Sequence, residues 1–182
     1  MEAPLEFWLP DPPETERLGR ALAAILRPGD AVLLEGPLGA GKSTLARALL
    51  RAACRNGRME VPSPSFTLVQ LYDGFDAAGE VLPVAHLDLW RLDGPGALNE
   101  LGWDEALETG AVLVEWPDRL GVLRPADALE VALEPVFAAG AGKDAAGDAD
   151  EEEAVATRRV RLRGWAGRLD AVRRAMEGEG NR

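Results

Sequence analysis

Short apolar runs alternate along the chain with apolar residues at helical spacing. The run at residues 31–34 is continuous and apolar, which is typical of a strand buried on both faces. A glycine-rich segment follows it, and Leu45, Leu49 and Leu50 then recur at the spacing of a helix. This order of strand, loop and helix predicts an α/β protein with a mostly parallel sheet, some antiparallel strands and flanking helices.

The same alternation continues through the rest of the chain. The predicted strands cover residues 7–9, 31–34, 81–88, 111–115, 128–133 and 155–162. The predicted helices cover residues 18–26, 42–50, 97–107 and 169–176. Two of these strands, Val81–Asp88 and Ala111–Glu115, end in an acidic residue, which is the end at which open α/β sheets bind ligands.

The length and composition predict one domain that covers residues 1–182, since 47% of the 182 residues are hydrophobic. The net charge of −11 repels polyanions, so we expect no autonomous binding to nucleic acid. Residues 138–153 contain six acids and one lysine among alanines and glycines. This composition has no apolar period, and we expect a mobile acidic loop between two strands.

The chain has neither a run of about 18 apolar residues nor the charged and apolar pattern of an N-terminal signal. We therefore expect a cytoplasmic protein that does not enter a membrane. Cys54 is the single cysteine, so an internal disulfide is excluded.

Residues 36–43 read G-P-L-G-A-G-K-S, which fits the phosphate-binding pattern G-x-x-x-x-G-K-S/T between a strand and a helix. The glycines let backbone N–H groups point at a phosphate chain. We expect Lys42 to neutralise the β- and γ-phosphates of ATP, Ser43 to bind Mg²⁺ and Thr44 to contact the α-phosphate region. The predicted nucleotide-binding residues of this loop are Gly36, Leu38, Gly39, Ala40, Gly41, Lys42, Ser43 and Thr44. The pattern indicates a P-loop NTPase-like domain.

Hydrolysis of ATP needs an acid that holds the water shell of the metal or orients the attacking water. Asp88 and Glu115 both follow apolar runs and lie at the carboxyl ends of predicted strands. Either acid satisfies the pattern of the metal-linked carboxylate. Lys42, Asp88 and Glu115 are therefore the candidate catalytic residues.

Four segments resemble the TsaE (YjeE) family, the P-loop ATPases of bacterial tRNA threonylcarbamoyladenosine biosynthesis. The loop at 36–44 is similar to G-D-L-G-A-G-K-T-T, and residues 63–67, S-P-S-F-T, are similar to S-P-T-F-T. Residues 86–91, H-L-D-L-W-R, resemble H-x-D-x-Y-R, and residues 114–117 read V-E-W-P as in the family. The resemblance runs from about residue 9 to residue 117. Ser43 keeps the hydroxyl of the family's threonine, whereas Trp90 lacks the hydroxyl of its tyrosine.

The resemblance implies a role for each matching position. Ser43 and Glu115 would bind Mg²⁺, Asp88 would lie near the γ-phosphate, and residues 63–67 would form a switch-like segment. Asp11, with Thr15, would help to enclose the adenine. The implied function is ATP hydrolysis that supports modification of the tRNA adenosine beside the anticodon, together with the proteins TsaD and TsaB.

Other functions share the P-loop pattern. A small-molecule or nucleoside kinase and a nucleotide-gated binding module remain alternatives. A GTPase is disfavoured because the chain lacks the guanine-reading segment N/T-K-x-D. His86, the only histidine, is interpreted as structural. Arg159, Arg161 and Arg163 are expected on the solvated face of a strand, with contact to nucleotide phosphate or to an acidic partner as the alternative.

Overall fold

The computed structural model describes residues 4–92, 95–136, 157–165 and 167–178. The acidic segment at 138–153 lies outside these residues. The strands within the described ranges are β1 (Leu5–Leu9), β2 (Ala31–Glu35), β3 (Val69–Phe75), β4 (Val81–Asp88), β5 (Ala111–Glu115), β6 (Leu129–Val136) and β7 (Thr157–Arg163). The α-helices are α1 (Pro12–Ala23), α2 (Lys42–Ala53), α3 (Trp103–Thr109) and α4 (Leu169–Glu177).

All the described strands belong to one sheet with the order β1-β7-β6-β2-β5-β4-β3. The central strands β6, β2, β5 and β4 are parallel neighbours. Strands β3, β7 and β1 extend the sheet with antiparallel pairings. The predicted α/β class, with parallel strands at the centre and antiparallel strands beside them, is confirmed.

The sheet has a hydrophobic cluster on each face, and β2 contributes to both. Val32 and Leu34 belong to the cluster that includes α1, α2 and α4. Ala31 and Leu33 point to the other face, where α3 and the 3-10 segments Pro95–Leu101 and Pro117–Leu123 lie. Because both faces are covered, the continuous apolar run of β2 is buried throughout. None of the described helices has the length and apolar character needed to cross a membrane.

Two elements differ from the sequence-based prediction. The helix predicted at 97–107 is divided into the 3-10 segment Pro95–Leu101 and helix α3, because Gly102 between them adopts a left-handed conformation with φ of +73°. Strand β3 is not predicted by the hydrophobic pattern. It contains Asp73 and Gly74, both poor strand formers, and forms through its antiparallel pairing with β4.

Pairing of the central strands positions the functional residues. Leu34 of β2 is the register partner of Glu115, and Glu115 is the register partner of Asp88 on β4. The glycine-rich loop leaves the sheet directly after β2. The loop and both acids therefore lie together at the carboxyl edge of the parallel strands, as expected for a ligand site in an open α/β sheet.

Candidate functional site

The glycine-rich loop has a backbone that depends on its glycines. Gly36, Gly39 and Gly41 have positive φ values of 144°, 75° and 93°. A Cβ atom at Gly36 would lie 2.4 Å from the carbonyl oxygen of Leu133, so a larger residue would collide with β6. Helix α2 begins at Lys42 without a side-chain cap. Its N-terminal amide groups and positive dipole end are therefore available to an anion.

Lys42 is folded over this loop. Its Nζ donates hydrogen bonds to the carbonyl oxygens of Gly36 and Pro37, each at 2.8 Å. The residue is buried, and burial lowers the pKa of its ammonium group, while the charges of Glu115 and then Asp88 act in the opposite direction. The Lys42 ammonium is therefore a partly desolvated group that contacts the backbone of the glycine-rich loop.

Glu115 is held between a helix and a strand. Its Oε2 accepts a hydrogen bond of 2.8 Å from the Ser43 hydroxyl at the start of α2. Its Oε1 lies 3.0 Å from Nε2 of His86 on β4, and both side chains are only 2% exposed. The two contacts fix the orientation of the carboxylate and keep its Oε2 beside the Ser43 hydroxyl oxygen.

Asp88 has a different set of contacts. Its Oδ2 accepts hydrogen bonds from the hydroxyls of Ser65 at 2.7 Å and Ser63 at 3.4 Å, and these two hydroxyls lie 2.7 Å apart. Its Oδ1 accepts the Trp90 backbone N–H at 3.0 Å. Asp88 thus connects the end of β4 to the irregular segment that precedes β3.

Two tryptophans form one wall of the site. Trp116 follows β5 in a left-handed conformation with φ of 61°, which is rare for an aromatic residue and is found mostly where the surroundings impose it. Its ring centroid lies 3.8 Å from Lys42 Nζ and 4.3 Å from the ring centroid of Trp90. Trp90 is half-exposed and packs against Trp116.

These side chains line one open cleft. The lining residues are Leu38, Gly39, Ala40, Gly41, Lys42, Ser43, Thr44, Ser63, Ser65, Asp88, Trp90, Glu115, Trp116 and Arg158. Of the predicted site residues, Gly36 supports the loop through its carbonyl oxygen. Asp11 is the N-cap of α1, where its Oδ1 accepts the Glu14 N–H at 3.0 Å, and it does not line this cleft. Its role beside adenine stays a prediction, as does that of the buried Thr15.

Two residues that contact the site have roles that the sequence analysis did not identify, and of these only Arg158 lines the cleft. His86 was interpreted as structural. Its ring contacts the Glu115 carboxylate and thereby fixes the position of that group. Arg158 was not considered, although alternation along β7 places it on the same buried face as Val160 and Leu162. A charged residue at an apolar position of a strand was the available signal. Arg159 and Arg161 are half-buried on the other face and form ion pairs with Glu134.

Comparison with known proteins identifies relatives of this chain. Residues 9–138 match the family described as threonylcarbamoyl adenosine biosynthesis protein TsaE. The tRNA threonylcarbamoyladenosine biosynthesis protein TsaE of Rickettsia conorii is 37% identical over 121 residues, which cover 66% of each chain. The protein of the same name from Synechocystis sp. is 40% identical over 123 residues, covering 65% of this chain and 74% of that relative.

A solved structure has the same fold. The crystal structure of YdiB from Bacillus subtilis superposes with a TM-score of 0.67 at 25% sequence identity. The superposition covers 100% of this chain and 99% of that one. The similarity therefore extends over the whole sheet and its helices.

Proposed function

The chain belongs to the TsaE family of tRNA threonylcarbamoyladenosine biosynthesis, and from that premise we propose that it binds and hydrolyses Mg-ATP to support this tRNA modification. The observation that carries the proposal is the contact between Ser43 and Glu115 at the start of α2. A hydroxyl and a carboxylate are oxygen ligands of the kind that Mg²⁺ accepts beside phosphate groups. They lie next to a loop whose amides and lysine suit a phosphate chain.

The residues of the cleft support a division of tasks in this function. The loop amides and Lys42 would bind the phosphates, and neutralisation of their charge would favour attack on the γ-phosphate. Ser43 would bind Mg²⁺, and Glu115 would bind the ion or its water, held in place by His86. The bound ion would supply charge neutralisation of the β- and γ-oxygens. Asp88 would orient the attacking water through its free electron pairs.

The partner proteins of the proposed function are TsaD and TsaB. The net charge of −11 is opposite to what direct binding of tRNA requires. A protein of this charge that serves a tRNA modification is more readily explained if it acts on other proteins of the pathway. We therefore propose that ATP hydrolysis acts on a complex of TsaD and TsaB.

The decisive experiment measures nucleotide binding by calorimetry in the presence of Mg²⁺. We expect the wild-type chain to bind ATP and ADP, and Lys42→Ala to lose measurable ATP binding while it unfolds at a similar temperature. Arg163→Ala removes an exposed cation outside the cleft and serves as the matched control with unchanged binding. Equal ATP affinity of Lys42→Ala and the wild type would contradict the proposal.

The nucleotide preference and the partners are tested with the same samples. We expect ATP to raise the unfolding temperature more than GTP, because the chain has no guanine-reading segment. Turnover of ATP is then measured with and without TsaD and TsaB. Phosphorylation of an added nucleoside or small molecule in place of ATP hydrolysis would favour the kinase alternative.

A further inference from the structure

Four arginines line a groove between α1 and α2. Arg20 comes from α1, Arg47 and Arg51 come from α2, and Arg55 follows the end of α2. The groove is a cavity of about 320 Å³, and the one carboxylate among its lining residues belongs to Glu16. The chain has a net charge of −11, so the groove is a local concentration of the opposite charge. Such a patch attracts negatively charged groups.

The charges of these arginines are poorly compensated within the chain. Arg20 lies 3.9 Å from Glu16, and both side chains are more than half exposed, so this ion pair is weak. Arg47 is half-buried and forms neither a hydrogen bond nor an ion pair with the residues that the structure describes. It lies one helical turn from Arg51, and like charges at that spacing destabilise a helix. A bound anion would relieve this repulsion.

Two of the four arginines are held in place by uncharged groups. Arg51 Nε donates a hydrogen bond of 2.9 Å to the carbonyl oxygen of Met59, and its terminal nitrogens keep their donors. The guanidinium carbon of Arg55 lies 4.9 Å from the centroid of the Phe75 ring. Neither contact neutralises a charge. Because both guanidinium groups are oriented before a ligand arrives, less conformational entropy is lost when one binds.

The other lining residues indicate which kind of anion fits the groove. Ala48 and Ala52 provide small apolar side chains beside the arginines. No aromatic side chain is among the lining residues in the described ranges, whereas single-stranded nucleic acids are held by stacking of their bases on aromatic rings. The net charge of the chain also repels a long polyanion. A short peptide with carboxylate groups fits better, since an arginine can bind a carboxylate through two parallel hydrogen bonds.

We propose that the groove between α1 and α2 is a docking surface for an acidic peptide segment of a partner protein. Carboxylates of that segment would accept hydrogen bonds from Arg20 and Arg47, and its backbone would lie over the two alanines of α2. Thr44 lines both this groove and the nucleotide cleft, so the docked segment would lie beside the helix that begins at Lys42. The proposal goes beyond nucleotide binding and does not depend on it.

The experiment titrates the full chain into a fluorescent peptide of alternating glutamate and alanine and measures anisotropy at low and high salt. The same peptide with glutamine in place of glutamate is the negative control. We expect the glutamate peptide to bind, with an affinity that decreases as salt screens the charges. Arg47→Gln should weaken binding about fivefold, the order of one partly exposed ion pair, and addition of Arg20→Gln should weaken it further. Arg47→Lys should retain part of the affinity, because it keeps the charge but not the planar donor pair.

Arg173→Gln is the matched control, since it removes an exposed arginine from α4 and should leave the peptide affinity unchanged. Arg47→Gln should keep the ADP affinity of the wild type and unfold at the same or a higher temperature, because a like-charge neighbour is removed.

Peptide affinity that is unchanged in both Arg47→Gln and the double variant would overturn the inference, as would a wild type that binds both peptides equally. Loss of ADP affinity in Arg47→Gln with unchanged peptide affinity would assign the groove to the nucleotide instead. A single-stranded RNA that displaces the peptide at a lower concentration than unlabelled peptide does would overturn the inference in favour of nucleic acid. Failure of the wild type to bind ADP would refute the proposed function and leave this inference standing.

Discussion

Glu115 and Asp88 are register partners at the ends of neighbouring strands, yet they are held by different parts of the molecule. Glu115 is fixed by residues of regular elements, His86 on β4 and Ser43 on α2. Asp88 is fixed by the hydroxyls of Ser63 and Ser65, which lie in the irregular segment before β3. The contacts of Glu115 therefore belong to the rigid framework, whereas those of Asp88 belong to a loop.

This difference is consistent with the tasks that the family resemblance implies for the two acids. A metal-linked carboxylate needs a fixed position, because Mg²⁺ requires near-ideal octahedral geometry. A residue that serves the γ-phosphate and its water benefits from contact with a segment that changes when the γ-phosphate is lost. We therefore keep the proposal that Glu115 serves the metal and Asp88 the γ-phosphate side. Each of the following predictions tests this assignment.

The largest effect is expected for Glu115→Ala. Loss of the carboxylate removes the anchor of the metal shell, and ATP turnover should fall by at least about 100-fold. The Mg²⁺ dependence of nucleotide binding should weaken as well. Initial rates and affinities over a range of Mg²⁺ concentrations measure both effects. Glu134→Ala, which removes an acid from β6 outside the cleft, should keep the wild-type rate, and a normal rate in Glu115→Ala would refute the assignment.

Asp88→Ala should reduce turnover by about 100-fold, the order of a lost acid–base or orienting group, and leave Mg-ADP affinity nearly unchanged. The reason is that ADP lacks the γ-phosphate that Asp88 serves. Calorimetry with Mg-ADP and a phosphate-release assay give the two values. Loss of Mg-ADP binding in Asp88→Ala, together with its retention in Glu115→Ala, would show that the two roles are reversed.

His86→Ala should weaken Mg²⁺-dependent activity by about tenfold, since partners that orient a metal ligand have effects of that order. His86→Gln retains a side-chain N–H that can reach Glu115 and should recover part of the loss. The measurement is the Mg²⁺ concentration at half-maximal turnover, compared with the unfolding temperature. A fall in stability without a change in the Mg²⁺ requirement would show that His86 serves packing alone.

The hydroxyls around Asp88 should have smaller effects. Removal of one hydrogen bond costs about 0.5 to 1.5 kcal/mol, which corresponds to a change of a few-fold in turnover. Ser65→Ala should exceed Ser63→Ala, because Ser65 Oγ lies 2.7 Å from Asp88 Oδ2 and Ser63 Oγ lies 3.4 Å from it. Neither change should alter the Mg²⁺ requirement, and an effect on that requirement would link Asp88 to the metal.

The smallest signal is a dependence of stability on pH that arises from Lys42. Its pKa is lowered from 10.5, mainly by burial, so between the lowered pKa and 10.5 the unfolded chain binds more protons than the folded chain. In that alkaline range the free energy of unfolding should rise with pH in the wild type relative to Lys42→Met. Burial raises the pKa values of Cys54 and Tyr72, so these two groups make stability fall with pH. Their contributions are present in both the wild type and Lys42→Met, and comparison of the two proteins removes them.

Substitution of either acid near Lys42 gives a further test of this pH dependence. Glu115 raises the pKa of Lys42 more than Asp88 does. Glu115→Gln should therefore lower the pKa of Lys42 more than Asp88→Asn does. The pH range in which stability rises with pH should then begin at a lower pH in Glu115→Gln. Urea unfolding between pH 7 and pH 11 checks the order, and a larger effect of Asp88→Asn would place Lys42 closer to the Asp88 charge.

Much of the site could be predicted from the sequence because its residues are local. Residues 36–44 are contiguous, and both acids end apolar strands, so one rule of sheet topology brings them together. The TsaE family and the α/β class predicted from those segments are confirmed. The central strand β2 was identifiable since burial on both faces requires an unbroken apolar run.

The features that were missed depend on tertiary contacts. Strand β3 contains weak strand formers and is stabilised by its partner β4. The division of the predicted helix at Gly102 reflects a backbone conformation that periodicity does not encode. Arg158 reaches the loop only because β7 lies beside β6, although 118 positions separate it from Ala40. No local pattern specifies such a contact.

The pairing of β1 with β7, in which Leu5 is the register partner of Leu162, has a consequence for the order of folding. Contacts between distant parts of a chain form slowly, because the loss of loop entropy precedes the gain from the contact. During synthesis the glycine-rich loop leaves the ribosome long before β7 does. The P-loop of a nascent chain therefore lacks Arg158, and β1 has no strand partner until β7, its neighbour in the sheet, is made.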